Sequence, residues 1–302
     1  MPSQKSSKII CSVGVFAYNE VENIAKLLNA LLSQKLDKVE IGEIIVVSSA
    51  SEDGTDEAVL AFTKKNNKIK LIAEKERNGK SAAINKFIEA SQNDILVIES
   101  ADTIPAENTI EKMVMVFADE NIGMTGGRPI PENSSKDFVG YSVNLLWRLH
   151  HKMALLSPKL GEMVAFRKIF PRIPAKSAVD EASIEAIIRD AGLQLDYISD
   201  AIIHNKGPEN LADFILQRRR IEAGHLWLKD TEKYEVASQS GSLLLKLTLA
   251  EIVEKPTKIF FLFGTMIVEI YSRFLGWFDY KIKKKNPFKW EIAKSTKKLE
   301  IK

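Results

Sequence analysis

The tract Asn93 to Thr103 reads NDILVIESADT, an apolar run that stops at the carboxylate of Asp102 with a second carboxylate, Glu99, just inside it. A buried strand that delivers an acid to its C-terminal end is where open α/β sheets hold ligands. The bland alternative for Asp102 is a cap for a helix beginning at Pro105. Strand alternation turns Glu99 to the other face. Gly79-Lys80-Ser81 looks like the end of a phosphate-binding loop, but the glycine that a Walker A motif needs five residues earlier is Glu74. What remains is a helix N-terminus with a lysine beside it, suited to a phosphate or, more blandly, a surface lysine near a turn. No GxGxxG follows the first apolar run, so the usual dinucleotide fingerprint is missing. His150, His151, His204 and His225 show no zinc-ligand spacing and read as structural or surface residues, with His204 and His225 as weak site candidates.

Elements that alternate in type must position these groups. Apolar, β-branched runs predict strands near 9–16, 43–49, 69–73, 94–99 and 122–126. Between them, Glu20 to Leu32 sets Ile24, Leu27, Leu28, Leu31 and Leu32 on one helical stripe, and Ser81 to Ala90 does the same with Ala83, Ile84, Phe87 and Ile88. Such alternation predicts an α/β fold with a mostly parallel sheet and right-handed crossovers. Asp53-Gly54 and Arg77-Asn78-Gly79 break the chain on the strand-to-helix side, where ligands bind. Pro129 to Lys136 reads as a loop and a seam. Beyond it lie helices near 138–156, 180–191 and 210–228 and short strands near 162–167 and 195–204.

A chain of 302 residues, 45% of them apolar, can bury a sizeable core in one large domain or two small ones. A single cysteine, Cys11, lies in an apolar run and reads as a core residue in a reducing compartment. The net charge of +3 is uneven. From Lys281 to Lys302 nine lysines face two glutamates, giving this tail +7 and the rest −4. An acidic body argues against nucleic acid as a partner, and the basic tail suits an anionic membrane or mere solvation. Lys5 and Lys8 before IICSVGVFA imitate a secretion signal, but cleavage after Ala17 would remove the first core strand, so secretion is rejected.

Thr257 to Tyr280 is long enough to cross a bilayer, yet its longest charge-free run, Ile259 to Val268, ends at Glu269, and Arg273 follows at i+4. Each charge costs about 2.5–3.5 kcal/mol near a bilayer centre, which disfavours a full span. A single span would also place the lysine tail outside, against the positive-inside rule. An interfacial or hairpin arrangement with Ser242 to Val253 keeps both ends cytoplasmic, and the plain alternative is packing on the body or on a second copy of the chain.

Read in order, the motifs are Ala17-Tyr18-Asn19-Glu20, Val46 to Thr55 (VVSSASEDGT), Asn78 to Asn85 (NGKSAAIN), Ser100-Ala101-Asp102, Gly161 to Arg167 (GEMVAFR), Asp180-Glu181 and Gln217-Arg218-Arg219-Arg220. This series resembles the family 2 glycosyltransferases from about Ile10 to His225. The resemblance implies a GT-A fold, a Rossmann-like sheet flanked by helices, with a nucleotide-sugar at its first half and the acceptor at its second. It puts Ala17, Tyr18 and Glu20 near the base and ribose, Ser49 where the family usually has an aspartate, and Asp53 in the same turn. Lys80 then faces the nucleotide, and Asp102 matches the last acid of the DxD motif as nucleotide-sugar and metal contact. Asp180-Glu181 matches the family's acidic pair with its two members exchanged. One of them acts as general base, Glu181 by position and Asp180 as its competitor, while either also suits a first helical turn. Gln217 to Arg220 resembles QxxRW beside acceptor and diphosphate, and Gly161 and Glu162 border the acceptor pocket. Ser48, Ser49 and Ser100 replace acids of the family pattern, and Ile221 replaces its tryptophan, which removes a stacking platform and favours transfer of one sugar over polymer synthesis.

The expected organisation is a catalytic domain over 1–235, with a nucleotide-sugar half at about 9–128 and an acceptor half at about 129–235. Membrane-associating helices at 236–282 and a lysine-rich tail at 283–302 follow. The expected activity is inverting transfer from a UDP- or GDP-linked sugar to a hydroxyl acceptor, lipid or lipid-linked, at the cytoplasmic membrane face, with Mg2+ or Mn2+. A homo-oligomer fits the same helices. The rival readings are a nucleotidyltransferase, which usually opens with a glycine-rich loop that this chain lacks, and an inactive nucleotide-sugar-binding scaffold.

Overall fold

Four apolar runs lie side by side in the computed structural model, which describes residues 8–235, 241–286, 288 and 294–296. They are β1 (Ile9–Ala17), β2 (Val39–Ser49), β3 (Ile69–Glu74) and β4 (Ile95–Ser100), all parallel, in the order β3-β2-β1-β4. Their near-continuous apolar character follows from cover on both faces. Val13, Val15, Ile44, Val46 and Val97 turn to a core that includes Ile24, Leu27 and Leu28 of α1 (Val21–Leu32). Phe16, Ile45, Val47, Leu96 and Ile98 turn to the opposite core, with Ile84 and Phe87 of α3 (Lys80–Ala90). Gly14 lies directly under Phe87, where a Cβ would come within 2.7 Å of the ring, so α3 can approach the sheet only over a glycine.

The sheet continues as β7 (Val164–Arg167), β6 (Ile122–Pro131), β8 (Gln194–Asn205) and β5 (Thr103–Pro105). β6 and β8 are parallel, whereas β7 runs antiparallel to both β4 and β6, and β5 antiparallel to β8. The sheet is thus parallel in its first half and mixed in its second, flanked by helices throughout. Two expectations change here. Pro129 to Pro131, read as loop, pair with Ile203 to Asn205 of β8, so the seam is bridged by sheet. Residues after Asp102 form β5, and α4 (Thr109–Val114) starts later with Asn108 at its N-cap, so Asp102 caps no helix. Pairing with β8 outweighs any helical tendency of so short a segment.

The remaining helices are α2 (Thr55–Thr63), α5 (Phe138–Ala154), α6 (Asp180–Asp190), α7 (Leu211–Glu232), α8 (Gly241–Glu254) and α9 (Ile259–Trp277), the last prolonged by a π turn at Phe278–Ile282. Leu247 of α8 and Leu262 of α9 join Tyr141, Leu145, Leu149 and Met153 of α5 in one apolar cluster. Arg148 and Lys152 of α5 both reach the buried carboxylate of Glu251 on α8, at 3.0 Å each. α7 is riveted to α9: Arg218 chelates Glu269 with two bonds of 2.8 Å, and Arg219 pairs with Asp279 in the π turn. Gly276 lets the backbones meet, since a Cβ there would come within 2.8 Å of Glu222 Cβ.

These helices therefore do pack on the body, but along one side only. Phe260, Phe263, Ile267, Ile270, Tyr271 and Phe274 of α9 remain exposed, as do Leu245, Leu249 and Val253 of α8. Among the described residues, Pro256–Ile282 is the one helical stretch long and apolar enough to cross a membrane, with a mean hydropathy of 1.5. Glu269 and Arg273, four residues apart on α9, pair at 2.9 Å. The segment joining α7 to α8 at 236–240 and most of the lysine tail, including 289–293 and 297–302, lie outside the described residues.

Candidate active site

The loops after β1 and β2 form one braced unit. Asn19 takes a left-handed backbone (φ 53°), which lets its amide reach Ser51 Oγ at 3.1 Å while its side chain accepts from Glu52 N at 2.9 Å. Asp53 accepts from Val21 N and Thr55 N at 3.1 and 3.0 Å and from the Thr55 hydroxyl at 2.5 Å, tying the start of α1 to that of α2. Glu20 accepts from the Asn23 side chain at 2.9 Å and donates its amide to Thr55. Tyr18 lies beneath the guanidinium of Arg77, 4.0 Å from the ring centroid. Ser49 donates to Glu74 Oε2 at 2.7 Å, so a carboxylate from the neighbouring strand end stands beside the hydroxyl. Ala17 ends β1 in the core. These five positions gather at the carboxyl edge of β1 and β2, and none of them lines the large cavity described next.

That cavity, of about 550 Å³, lies where β4, β5, α3, α6 and α7 converge. Lys80, Asp102, Gly161 and Glu162 line it, together with Asp180, Glu181, Gln217 and Arg220. Lys80 opens α3 and Asp180 and Glu181 open α6, so two helix N-termini face each other across the space. The Lys80 ammonium bridges both acids, 2.9 Å from Asp180 and 2.8 Å from Glu181. Glu162 has a left-handed backbone (φ 61°) and accepts from Asn205 Nδ2 at 3.1 Å. A non-glycine residue held in that conformation is strained, and strain of this kind gathers at functional sites.

Charge in the cavity is unbalanced toward acid. Burial opposes the Lys80 charge, but Asp180 and Glu181 outweigh it and hold the ammonium well above its ordinary value. One cation shared by two carboxylates leaves a surplus, and Asp180 takes it: burial, then the charge of Glu181, raises its pKa despite Lys80. Burial, then Asp102 and Glu181, pushes Glu162 up to about 7. Arg220 is brought down to about 10 by burial, against the pull of Asp180, Asp102, Glu181 and Glu162. Of the acidic pair, the Asp180 side chain is 1% exposed and that of Glu181 19%, so Glu181 is the one open to a ligand.

The sequence profile described as Glycosyl transferase family 2 matches residues 12–183, a span running from β1 into the first turn of α6. The chain belongs to this family. It is 35% identical over 116 residues to glycosyltransferase AglE of Haloferax volcanii, 38% of each chain. It is 32% identical over 119 residues to the poly-beta-1,6-N-acetyl-D-glucosamine synthase of Staphylococcus aureus, covering 39% of this chain and 28% of that one. The matched region thus spans well under half the length of these relatives. Among solved structures, the fold resembles a mannosyltransferase from Pyrobaculum calidifontis in complex with GDP-Man and Mn2+, with a TM-score of 0.67 at 20% identity, over 91% of this chain and 88% of that one. It also resembles glucosyl-3-phosphoglycerate synthase from Mycobacterium tuberculosis in complex with Mn2+, UDP and phosphoglyceric acid, with a TM-score of 0.52 at 19% identity, over 73% and 78% of the two chains.

Both of those GT-A structures hold Mn2+. In this family member no group of three or more His, Cys, Asp or Glu among the described residues is arranged to enclose an ion. The donor chemistry fits one nonetheless. Asp102 adds to the upward shift of Glu162 and also to that of Glu99, which burial pushes up to about 8. A divalent cation beside Asp102, completed by a diphosphate and water, suits such a surplus of negative charge. Glu99 lies buried, accepts from Thr103 Oγ1 at 2.8 Å and feels the charges of Asp102 and Glu162, whereas Ser100, Asp102 and Thr103 are the residues of this stretch that line the cavity.

The three arginines of α7 separate into two jobs. Arg218 and Arg219 fasten α7 to α9, and Arg220 faces the acids of the cavity. Several lining residues were passed over in the sequence, Trp147, His150 and Lys159 among them. His150 and Lys159 sit in no motif, and only the fold brings α5 and the loop before β7 to the wall. His225 lines the cavity, whereas His204 pairs with Glu132 at 2.7 Å and does not.

Proposed function

We propose that this protein is an inverting glycosyltransferase that moves one sugar from a UDP- or GDP-linked donor to the hydroxyl of a lipid or lipid-linked acceptor at the cytoplasmic face of the cell membrane. The observation that carries the reading is the single cavity in which Lys80, Asp102, Glu181 and Arg220 converge and which continues between α5, α7 and α9 toward an exposed apolar face. The domain plan follows: residues 1–235 hold donor and acceptor, 236–282 attach to the membrane, and 283–302 add positive charge. The braced loops at Tyr18, Ser49 and Asp53 form the floor for base and ribose. The Pyrobaculum mannosyltransferase, in complex with GDP-Man, and the mycobacterial synthase, in complex with UDP, support such a donor.

Glu181 accepts the proton of the acceptor hydroxyl as its oxygen attacks the anomeric carbon, and the bond from that carbon to the diphosphate breaks on the opposite face, which inverts the centre. Lys80 holds Glu181 and Asp180 in place through its two ion pairs. Arg220 stands across from these acids, where it offsets charge on the departing diphosphate. Asp102 would hold Mg2+ or Mn2+, which would supply further compensation of that charge. Ile221 faces the cavity where a stacking ring would favour a growing polymer, which supports single transfer.

The direct test is to incubate purified protein with UDP- and GDP-sugars, Mn2+ and a membrane extract and to measure nucleoside diphosphate release. Release that depends on the extract supports the proposal. Binding of a sugar nucleotide without release under any of these conditions refutes the catalytic reading and leaves a scaffold.

A further inference from the structure

Lys80 and the two acids it pairs with open two helices, α3 and α6, that are distant in the chain. A series of buried hydroxyls runs behind them. Ser81, the residue after Lys80, donates its hydroxyl to the carbonyl of Ser177 at 2.9 Å. Ser183, on the first turns of α6 with Glu181, donates to the Ser177 hydroxyl at 2.8 Å, and that hydroxyl also accepts from Val179 N at 3.2 Å. One turn further along α3, Asn85 exchanges two bonds with a single residue of the loop: its side chain donates to Ile173 O at 2.9 Å and accepts from Ile173 N at 2.8 Å. Ser177 N bonds to Pro174 O at 3.1 Å, and this turn brings Ile173 and Ser177 to the same helix. On the far side of α6, the carboxylate of Glu232 at the end of α7 stands 3.3 Å from the Ser183 hydroxyl.

Ser81, Asn85, Ser177 and Ser183 do not line the cavity, and the three serines are buried. Apolar contact already holds this loop, since Phe170 and Ile173 pack with Ile84 and Phe87 of α3. Such contact has no direction, so by itself it lets the loop shift along the helix. Lys80 cannot supply the direction either, because a lysine ammonium is a point charge on a flexible stem. Hydrogen bonds weaken steeply as their angles open, and a buried group that loses its partner has no water to replace it. These bonds therefore form a latch that fixes the first turn of α6 against that of α3. In the sequence Ser81 ends a Gly-Lys-Ser tripeptide suited to a phosphate, but in the fold its hydroxyl is turned to Ser177 instead of a ligand.

We propose that Ser81, Asn85, Ser177 and Ser183 are positioning residues for the transfer: by locking the start of α6 to the start of α3 they aim the Glu181 carboxylate at the reacting hydroxyl. This rests on the reading of Glu181 as the general base and adds a requirement to it. The base works only while the two helices keep this register, since a displacement of about 1 Å in a reacting group can lower a rate about a hundredfold.

The test uses the full-length chain with UDP-glucose or GDP-mannose, Mn2+ and a membrane extract, and follows donor binding by calorimetry, nucleoside diphosphate release and thermal unfolding. Ser81→Ala and Ser183→Ala should each lower turnover at saturating donor by about tenfold to a hundredfold, measured well below the unfolding temperature of each variant, while donor affinity stays within about threefold. A role in stability alone would lower the unfolding temperature and leave the turnover of the folded protein unchanged, and that result overturns the inference. Glu181→Gln supplies a readout that a merely structural role does not move. Added to Glu181→Gln, Ser81→Ala should cause less than about a threefold further loss of turnover, because the group it positions is already gone. Losses that multiply independently overturn the inference. So does an equal loss of donor affinity and turnover, which would assign the serines to holding Lys80 for the donor. If Ser81→Ala does not fold, Asn85→Asp takes its place and is read by the same outcomes: this isosteric change, at a half-buried position, keeps the bond from Ile173 N and removes the one to Ile173 O. The two failures separate cleanly. Wild-type turnover in the serine variants beside a collapsed Glu181→Gln removes only the latch, whereas full turnover in Glu181→Gln removes the base and the inference built on it.

Discussion

Glu181→Gln is the substitution that asks most of the proposed chemistry. The change is nearly isosteric and keeps an oxygen for Lys80, which stands 2.8 Å from Glu181 and 2.9 Å from Asp180. One cation then faces one carboxylate, so the trio becomes neutral and Asp180 loses the neighbour whose charge raises it. Nothing at Tyr18, Ser49 or Asp102 is touched, and donor affinity should stay within about threefold. Turnover should fall by the worth of a general base, about 10²–10⁴-fold, or about 3–5 kcal/mol of transition-state stabilisation. Asp180 is poorly placed to replace it, with a side chain 1% exposed beneath Lys80. Donor binding by calorimetry and nucleoside diphosphate release at saturating donor give the two numbers. A loss of turnover below about threefold would remove Glu181 as the base. Equal losses in turnover and donor affinity would mean that Glu181 acts by holding Lys80, and the base would have to be sought in Asp180.

Three further outcomes follow. Asp102→Ala should abolish the stimulation of donor binding by Mn2+, measured by titration with and without the ion, and an unchanged metal response would take Asp102 out of the donor site. Stability without ligands should fall as pH rises from about 6.5 to about 8. Glu162 and Glu99, raised to about 7 and about 8, keep protons in the folded chain that the unfolded chain has already released. His150, lowered to about 3, acts in the opposite sense only below its ordinary 6.5. Glu99→Gln should flatten that slope in thermal unfolding, and an equally steep fall in the variant would show that Glu99 is not its source. Replacing Phe260, Phe263 and Ile267 together by serine should weaken partitioning to anionic vesicles by about a hundredfold or more, at roughly 1–2 kcal/mol per side chain, and unchanged flotation would contradict membrane attachment through this face.

The first half of the sheet was legible because each strand is a nearly pure apolar run and each helix carries one apolar stripe. The order of motifs was legible for the same reason: they sit at the ends of those strands. β5 was not, since three residues ending in proline carry no period, and what fixes them is the distant edge of β8. Lys159 and His150 lie in no motif and gain their place from the packing of α5, α7 and α9, which no local pattern records. Arg218 and Arg219 stand in the sequence only as the middle of the Gln217 to Arg220 motif, and the distant acids Glu269 and Asp279 reveal them as fasteners.

That fastening has a mechanical side. Arg218 and Arg219 grip α9 and its π turn, and Arg220 follows them on the same turn of α7, facing the acids. A helical turn is held by its own backbone bonds and advances only about 5.4 Å, so three consecutive residues on it cannot move independently. Any sliding or tilting of α9, as when its apolar face settles into a new surface, therefore draws Arg220 with it. The outer helix works as the long arm of a lever whose short arm ends among the carboxylates.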